Sequence, residues 1–146
     1  MSPSGSSISQ DAGHSLLDLV CAIALFGTLV SPMLAGRMFA DLKLYNAHHQ
    51  LASDLNVLAL DALQAEHKGT LELHATSYTM VSNSMQIAVR NFPAGVSVSS
   101  PHELPTTITF YPTSATTPIT IELQSSQRVC RVTVSLRGRV RSECVN

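Results

Sequence analysis

The sequence feature that most constrains this chain is an apolar run near its N-terminus. Between Leu16 and Ala35 the only charged residue is Asp18, and the other residues are apolar or small. About 20 such residues, at about 1.5 Å rise each in a helix, are enough to cross a hydrocarbon core about 30 Å thick. The run therefore predicts a membrane-spanning helix at residues 14–35.

A charged residue such as Asp18 is rare in a membrane-spanning helix. A carboxylate at the centre of a membrane segment costs about 2.5–3.5 kcal/mol on insertion scales, which makes it a functional candidate by default. A position near the helix start would lower this cost, since the N-terminal end of the helix dipole favours negative charge. A secretory signal peptide is the alternative for this stretch, but it would begin with a positive segment. Residues 1–13 contain Asp11 and no Lys or Arg.

The segment after the apolar run continues as an amphipathic helix over residues 36–68. The apolar residues keep i, i+4, i+7 spacing, as expected of a helix with one buried face: Leu51, Leu55, Leu58, Ala62 and Ala65. Asp54, Asp61 and Lys68 are expected to keep the opposite face in water. Gly69 is expected to stop the helix, with Lys68 in its last turn.

From Thr70 onward the pattern changes to short alternating or β-branched segments separated by Ser, Thr, Pro, Asn and Gly, which predicts strands and turns. Eight segments fit: 71–74, 78–81, 85–90, 96–98, 107–111, 119–123, 129–136 and 139–144. A long helix followed by six to eight strands predicts an α+β fold, with the helix packed on a small antiparallel β-sheet in a head at residues 69–146.

The order of residues around Asp18 resembles the N-terminus of type IV pilins and of the pseudopilins of type II secretion. Members have a polar leader, a Gly before the prepilin peptidase cut, and an acid at the fifth mature position before an apolar helix. Here the leader would be residues 1–13, and the cut would fall between Gly13 and His14. Asp18 would then be the fifth mature residue. His14 replaces the usual Phe or Met, and Asp replaces the usual Glu.

The resemblance implies a filament subunit rather than an enzyme. It implies a single-pass inner-membrane precursor, trimmed by the peptidase, methylated at His14 and extracted by an assembly platform into a periplasmic or surface filament. Asp18 would pair with the freed α-amine of a neighbouring pilin. We expect no cofactor.

The C-terminal segment strengthens the resemblance. The stretch ITFYPTSATTPITIEL, followed by RVCRVTVSLRGRVRSEC, is similar to the end of the FimT/GspH minor-pilin group. In that group a Phe-Tyr-Pro-like turn precedes strands that finish in Gly-Arg-x-Arg. FimT-like members use this motif to bind DNA during uptake in competence, and here it matches Gly138, Arg139 and Arg141.

The last two strands predict a disulfide. With Leu136–Gly138 as a three-residue hairpin loop, Gly138 supplies the left-handed position such a loop needs. Cys130 then faces Cys144, at a separation that allows a disulfide bond. Both cysteines lie in the part of the chain predicted to be outside the cytoplasm, where disulfides persist. A bond there would close a loop of about 15 residues and contribute about 3 kcal/mol in the chain-entropy description.

The same hairpin carries a concentration of arginine. Residues 128–146 hold five Arg and one Glu, a net charge of +4, while the rest of the chain carries −5. Arg137, Arg139 and Arg141 suit phosphate oxygens, because guanidinium groups donate paired hydrogen bonds. DNA contact, protection of the sheet edge and protein contact remain open as roles. No aromatic residue interleaves with these arginines, so binding is expected to be backbone-driven.

The sequence carries no catalytic or metal-binding motif. His48 and His49 diverge on the helix, and no Cys or acid at i+3 or i+4 completes a ligand spacing. No nucleophile elbow or P-loop occurs. Three functions are therefore carried forward: a type IV minor pilin, a GspH-like pseudopilin of type II secretion, and an anchored periplasmic binding domain that does not polymerise.

Overall fold

The computed structural model describes residues 11–126 and 128–145. The chain divides into two units, one up to Met38 and one from Phe39 onward. Within the described residues one helix is followed by eight strands, which confirms the α+β class. The elements are α1 (Asp11–Gln64), β1 (Gly69–Leu73), β2 (Ser77–Ser82), β3 (Met85–Asn91), β4 (Ser97–Ser99), β5 (Thr106–Phe110), β6 (Ile119–Gln124), β7 (Val129–Val134) and β8 (Val140–Val145).

The N-terminal unit contains the helical residues 11–38. Its described apolar side chains, among them Leu16, Leu19 and Phe26, are exposed. Among the described residues, no helix is both long and apolar enough to qualify as a membrane span. The side chains at 27–35 lie outside the described part of the chain, as do residues 1–10 of the predicted leader. The boundaries of the leader and of the span stay predictions.

The strands of the C-terminal unit form two antiparallel sheets of four strands, where the sequence suggested one. The order is β3-β2-β1-β5 in the first sheet and β4-β6-β7-β8 in the second. An isolated bridge between Phe110 and Thr116 connects the strand β5 to the segment before β6. Asn83 and Ser84 both have positive φ, as a two-residue hairpin turn between β2 and β3 requires.

The core lies between one face of α1 and both sheets. Leu51, Leu55, Leu58 and Ala62 are fully buried and join a single apolar cluster with residues of β1, β2, β5, β6 and β7. Burying a leucine side chain is worth about 1.5–3 kcal/mol, so these helix residues contribute much of the stability of the head. The predicted helix face is confirmed for these four residues.

The predicted end of the helix is wrong. Helix α1 ends at Gln64, so Ala65 is exposed and no basic residue lies in the last turn. Glu66 takes a left-handed conformation, with φ of 55°, and turns the chain toward β1. Gly69 is instead required by packing, because a Cβ there would lie 2.9 Å from Leu58 Cγ. A close approach of helix and strand, rather than a helix stop, explains this glycine.

The expectation that Asp54 and Asp61 face water is also wrong. The Tyr78 hydroxyl donates a hydrogen bond to Asp54 Oδ2 at 2.7 Å, and Arg90 Nε lies 3.7 Å from the same oxygen. Ser82 donates to Asp61 in the same way. Both carboxylates lie beside β2 and are partly buried there. Polar side chains of that strand donate the hydrogen bonds that a partly buried carboxylate needs.

Because of Tyr78, the free energy of unfolding is expected to decrease with pH in the alkaline range. Burial, and then its hydrogen bond to Asp54, raise the pKa of Tyr78 above its ordinary value of 10.0. Above about pH 10 the unfolded chain loses this proton while the folded chain keeps it, so stability is present below that pH and falls above it. The loss attributable to Tyr78 should be about 1.4 kcal/mol per pH unit.

Urea unfolding of the parent and of Tyr78→Phe between pH 9 and about pH 11 measures this loss. The slope of unfolding free energy against pH should be shallower in the variant than in the parent. Removing the hydroxyl also changes the unfolding free energy by an amount that does not depend on pH, and this change does not affect the slope. Equal slopes above about pH 10 would contradict the assignment.

Candidate functional site

The C-terminal hairpin has the predicted pairing. Strands β7 and β8 are antiparallel, with Cys130 opposite Cys144. The Ser135 N–H donates to the Arg139 carbonyl at 2.9 Å, and the Gly138 N–H donates to the Ser135 carbonyl at 2.9 Å. Gly138 has φ of 70°, the left-handed conformation expected at this position. The loop is therefore Leu136–Gly138.

A disulfide joins the two strands of the hairpin. Cys130 and Cys144 are bonded, with their Cα atoms 4.0 Å apart. Cys130 is buried with Val132 and Val134 on the inner side of β7. Strand β8 is the last strand of its sheet, and its residues from Arg141 to Val145 are exposed. The hairpin is anchored through β7 and offers β8 to solvent.

The basic residues of this region fall into two groups. Arg131 Nε lies 2.7 Å from Glu122 on the neighbouring strand, and Arg128 Nε lies 3.5 Å from Asp41 of α1. In contrast, Arg137, Arg139 and Arg141 are exposed, and none of them forms an ion pair within the described part of the chain. Their charge is available to a ligand.

A groove separates this arginine-bearing segment from the last turns of α1. It has a volume of about 620 Å³. The helix contributes one wall and the hairpin the other: Asn56, Ala59, Leu60 and Leu63 face Gly138, Arg139, Val140 and Arg141. The groove thus combines an apolar helical wall with a cationic strand edge. The helical wall was not predicted, because its residues are remote in sequence from the hairpin.

An aromatic residue that is remote in sequence lies beside the hairpin loop. Tyr111 lines a small cavity together with Arg137 and Gly138. The Lys68 ammonium group lies 5.3 Å from the centroid of its ring, within the range of a cation–π contact. Tyr111 was missed because the sheets, and not the local sequence, bring it to the loop.

The histidines occupy different environments. His48 is buried, whereas His49 is exposed, and their rings are 5.3 Å apart. Burial lowers the pKa of His48 below its ordinary value, the charge of His49 lowers it further, and a hydrogen bond to the Arg131 carbonyl opposes the shift. His48 is therefore neutral at neutral pH.

A Ser-His-Asp grouping occurs among the described residues, but its geometry does not activate the serine. The Ser82 hydroxyl donates a hydrogen bond to Asp61. Both ring nitrogens of His67 lie 3.4 Å from the Ser82 hydroxyl oxygen. A general base must accept the nucleophile's proton and be oriented by the acid. Here the carboxylate contacts the serine directly, so the grouping serves to connect α1 to β2.

The predicted processing and assembly residues lie in the N-terminal unit. Asp18 is an exposed residue of α1. Gly13 and His14 fall within the helical backbone of α1, and their side chains lie outside the described part of the chain. Their predicted roles stay predictions.

A helix whose second half packs on antiparallel sheets, closed by a C-terminal hairpin, is a pilin-like fold. No protein-family model and no curated protein matches this sequence.

Solved structures do match. The chain is similar to the type IV minor pilin FimU of Pseudomonas aeruginosa, with a TM-score of 0.58 and 10% identity over 68% of this chain and 91% of FimU. A second crystal form of FimU gives a TM-score of 0.53 at 12% identity, over 68% and 90% of the two chains. The minor pseudopilin EpsH of the Vibrio cholerae type 2 secretion system gives 0.60 at 13% identity, over 69% and 96%. At these identities the likeness establishes the fold.

Proposed function

We propose that this protein is a non-catalytic subunit of a thin filament, a minor pilin of a type IV pilus. The observation that carries the proposal is a set of apolar side chains on α1 that lie outside the core and are exposed. Within the C-terminal unit this set holds six large apolar side chains: Phe39, Leu42, Tyr45, Val57, Leu60 and Leu63.

The six residues form two groups of three on the same side of α1, which we call the stripe, and exposed polar residues such as His49 and Ser53 lie between the two groups. Phe39 and Val57 are 18 residues apart, which is five helical turns, so they lie above one another. The same spacing relates Leu42 to Leu60, and Tyr45 to Leu63. Clustered exposed apolar side chains mark candidate sites of interaction with protein or membrane. In the pilin-like fold we assign the stripe to contact with the helices of neighbouring subunits.

A charge on this stripe should prevent assembly. Leu60→Asp is expected to remove the protein from sheared filaments while leaving its fold intact, because Leu60 is 57% exposed and its replacement disturbs no core contact. Ile87→Asp on β3 is the matched control, since Ile87 is 54% exposed and lies on a different surface. Immunoblots of sheared and cell-bound fractions measure the distribution. Equal incorporation of both variants would count against the proposal.

We assign Asp18 the role of pairing with the α-amine that cleavage after Gly13 would free on a neighbouring subunit. Two opposite charges brought together in an apolar bundle partly offset the cost of desolvating each. The precursor would be held in the inner membrane by residues 14–35 and pass through the peptidase and the assembly platform to a periplasmic or surface filament.

Asp18→Ala should abolish assembly, because it leaves the amine unpaired, and should spare membrane insertion. Asp18→Glu keeps the carboxylate and is expected to keep assembly. Membrane fractionation together with the sheared-filament assay separates the two steps. Normal filament incorporation of Asp18→Ala would exclude this role.

We further propose that the head contacts DNA through the hairpin. The supporting observations are that Arg137, Arg139 and Arg141 are exposed and form no ion pair among the residues that the structure describes. Tyr111, which lies beside the loop, has the Lys68 ammonium group over its ring. Contacts of arginine with phosphate would dominate, so binding should weaken with salt and read sequence poorly.

Replacing Arg139 and Arg141 together with Ala should weaken DNA binding at least about tenfold and lower the salt slope of log K by about 2. The control is Arg128→Ala with Arg131→Ala, which removes the same charge from ion-paired side chains. Fluorescence anisotropy with labelled duplex at several salt concentrations gives both quantities. Binding that survives the Arg139 and Arg141 changes, or falls equally in the control, would contradict the assignment.

A pseudopilin of a type II secretion system is the second candidate, favoured by the likeness to EpsH. The stripe on α1 and the role of Asp18 apply equally to it, whereas DNA binding does not. An anchored periplasmic binding domain is the third, and it would lose neither function nor location in the Leu60→Asp variant.

A further inference from the structure

The fold brings a histidine of α1 against the disulfide of the hairpin. His48 Nδ1 lies 3.8 Å from Cys144 Sγ. His48 and Cys130 are both buried, and Cys144 is exposed. The Nδ1 or Nε2 atom of His48 and the two sulfur atoms all lie within 4.8 Å of one another. Two potential thiolates and an imidazole therefore occupy one small volume.

The orientation of His48 leaves its metal-binding nitrogen free. Nε2 lies 3.2 Å from the carbonyl oxygen of Arg131. A carbonyl only accepts hydrogen bonds, so Nε2 carries the proton and Nδ1 presents a lone pair to the sulfur. Metal-binding histidines usually have this arrangement, in which the second ring nitrogen donates to a carbonyl or a carboxylate and fixes the ring.

We propose that, when the disulfide is reduced, Cys130, Cys144 and His48 bind Zn²⁺, with water as the fourth ligand from the exposed Cys144 side. Zn–S bonds of about 2.3 Å and Zn–N bonds of about 2.0–2.1 Å place neighbouring ligand atoms about 3.3–3.8 Å apart. Small side-chain movements bring the three groups to these separations. Two thiolates and an imidazole are ligands that zinc favours.

The disulfide and the zinc site exclude each other. A dithiol donor supplies two electrons and two protons to the Cys130–Cys144 bond, gives two thiols and becomes a disulfide itself. Zn²⁺ then displaces the two thiol protons, which pass to water. The disulfide connects only β7 to β8, whereas the zinc site would also connect α1 to the hairpin. This inference does not depend on the filament or DNA proposals.

The test uses the full chain carrying Cys21→Ser, so that the only thiols are those of the pair. The protein is reduced with a phosphine, which becomes its oxide with oxygen from water, and is desalted without air. Zn²⁺ is titrated against a chromophoric chelator, and Co²⁺ is used separately to detect thiolate-to-cobalt charge transfer. The disulfide form is treated identically.

We expect one Zn²⁺ per reduced chain and none in the disulfide form. His48→Gln removes a direct ligand and should weaken binding by at least about 10–100-fold, the range seen when only a partner of a ligand is lost. His49→Gln, which changes the exposed neighbour, should leave binding unchanged. Zinc uptake that is equal in the reduced and disulfide forms, or equal in His48→Gln and the parent, would overturn the proposal.

Circular dichroism checks the fold of each variant. If His48→Gln does not fold, nitrogen NMR of the histidine rings in the reduced parent decides. A change in the His48 Nδ1 resonance on addition of Zn²⁺ supports the site, and an unchanged resonance overturns it.

Discussion

Burial of the Leu51, Leu55 and Leu58 side chains beneath the two sheets is the interaction on which the rest of the head depends. It fixes the rotation of α1 about its axis. Once these leucines point inward, Asp54 and Asp61 lie beside β2, where Tyr78 and Ser82 donate to them. The opposite face, with Val57, Leu60 and Leu63, is then directed to solvent. Packing of one face thus determines which helix residues are exposed.

Local patterns predicted much of this fold. All eight strand segments were found near their observed positions, because the period of two and the turn residues are local signals. The hairpin register followed from one glycine and the spacing of two cysteines. The local patterns could not predict which residues from remote segments contact each other in the folded chain. Periodicity correctly predicted that Leu58 is buried, but it gave no sign that Leu60, on the outer side of the helix, lines a groove with the hairpin.

The same limit explains the errors. Gly69 was interpreted as a helix stop, although its reason is a contact with Leu58 across the helix–strand boundary. His48 was judged by its neighbours on the helix, but its partners are 83 and 96 residues away, at Arg131 and Cys144. Tyr111 likewise lies beside the loop that carries Arg137 only because the folded sheets bring the two segments together. Residues that form the candidate site were predicted where they are contiguous and missed where tertiary structure assembles them.

The central proposal is that α1, besides the face buried against its own head, has exposed apolar residues that contact a neighbouring subunit. Photo-cross-linking in assembled filaments tests it most directly, with a benzophenone amino acid placed at position 60 and, in a parallel sample, at position 87. The account predicts a cross-link from position 60 to another filament subunit and none from position 87. Absence of a subunit cross-link at position 60, in filaments that contain the protein, would contradict it.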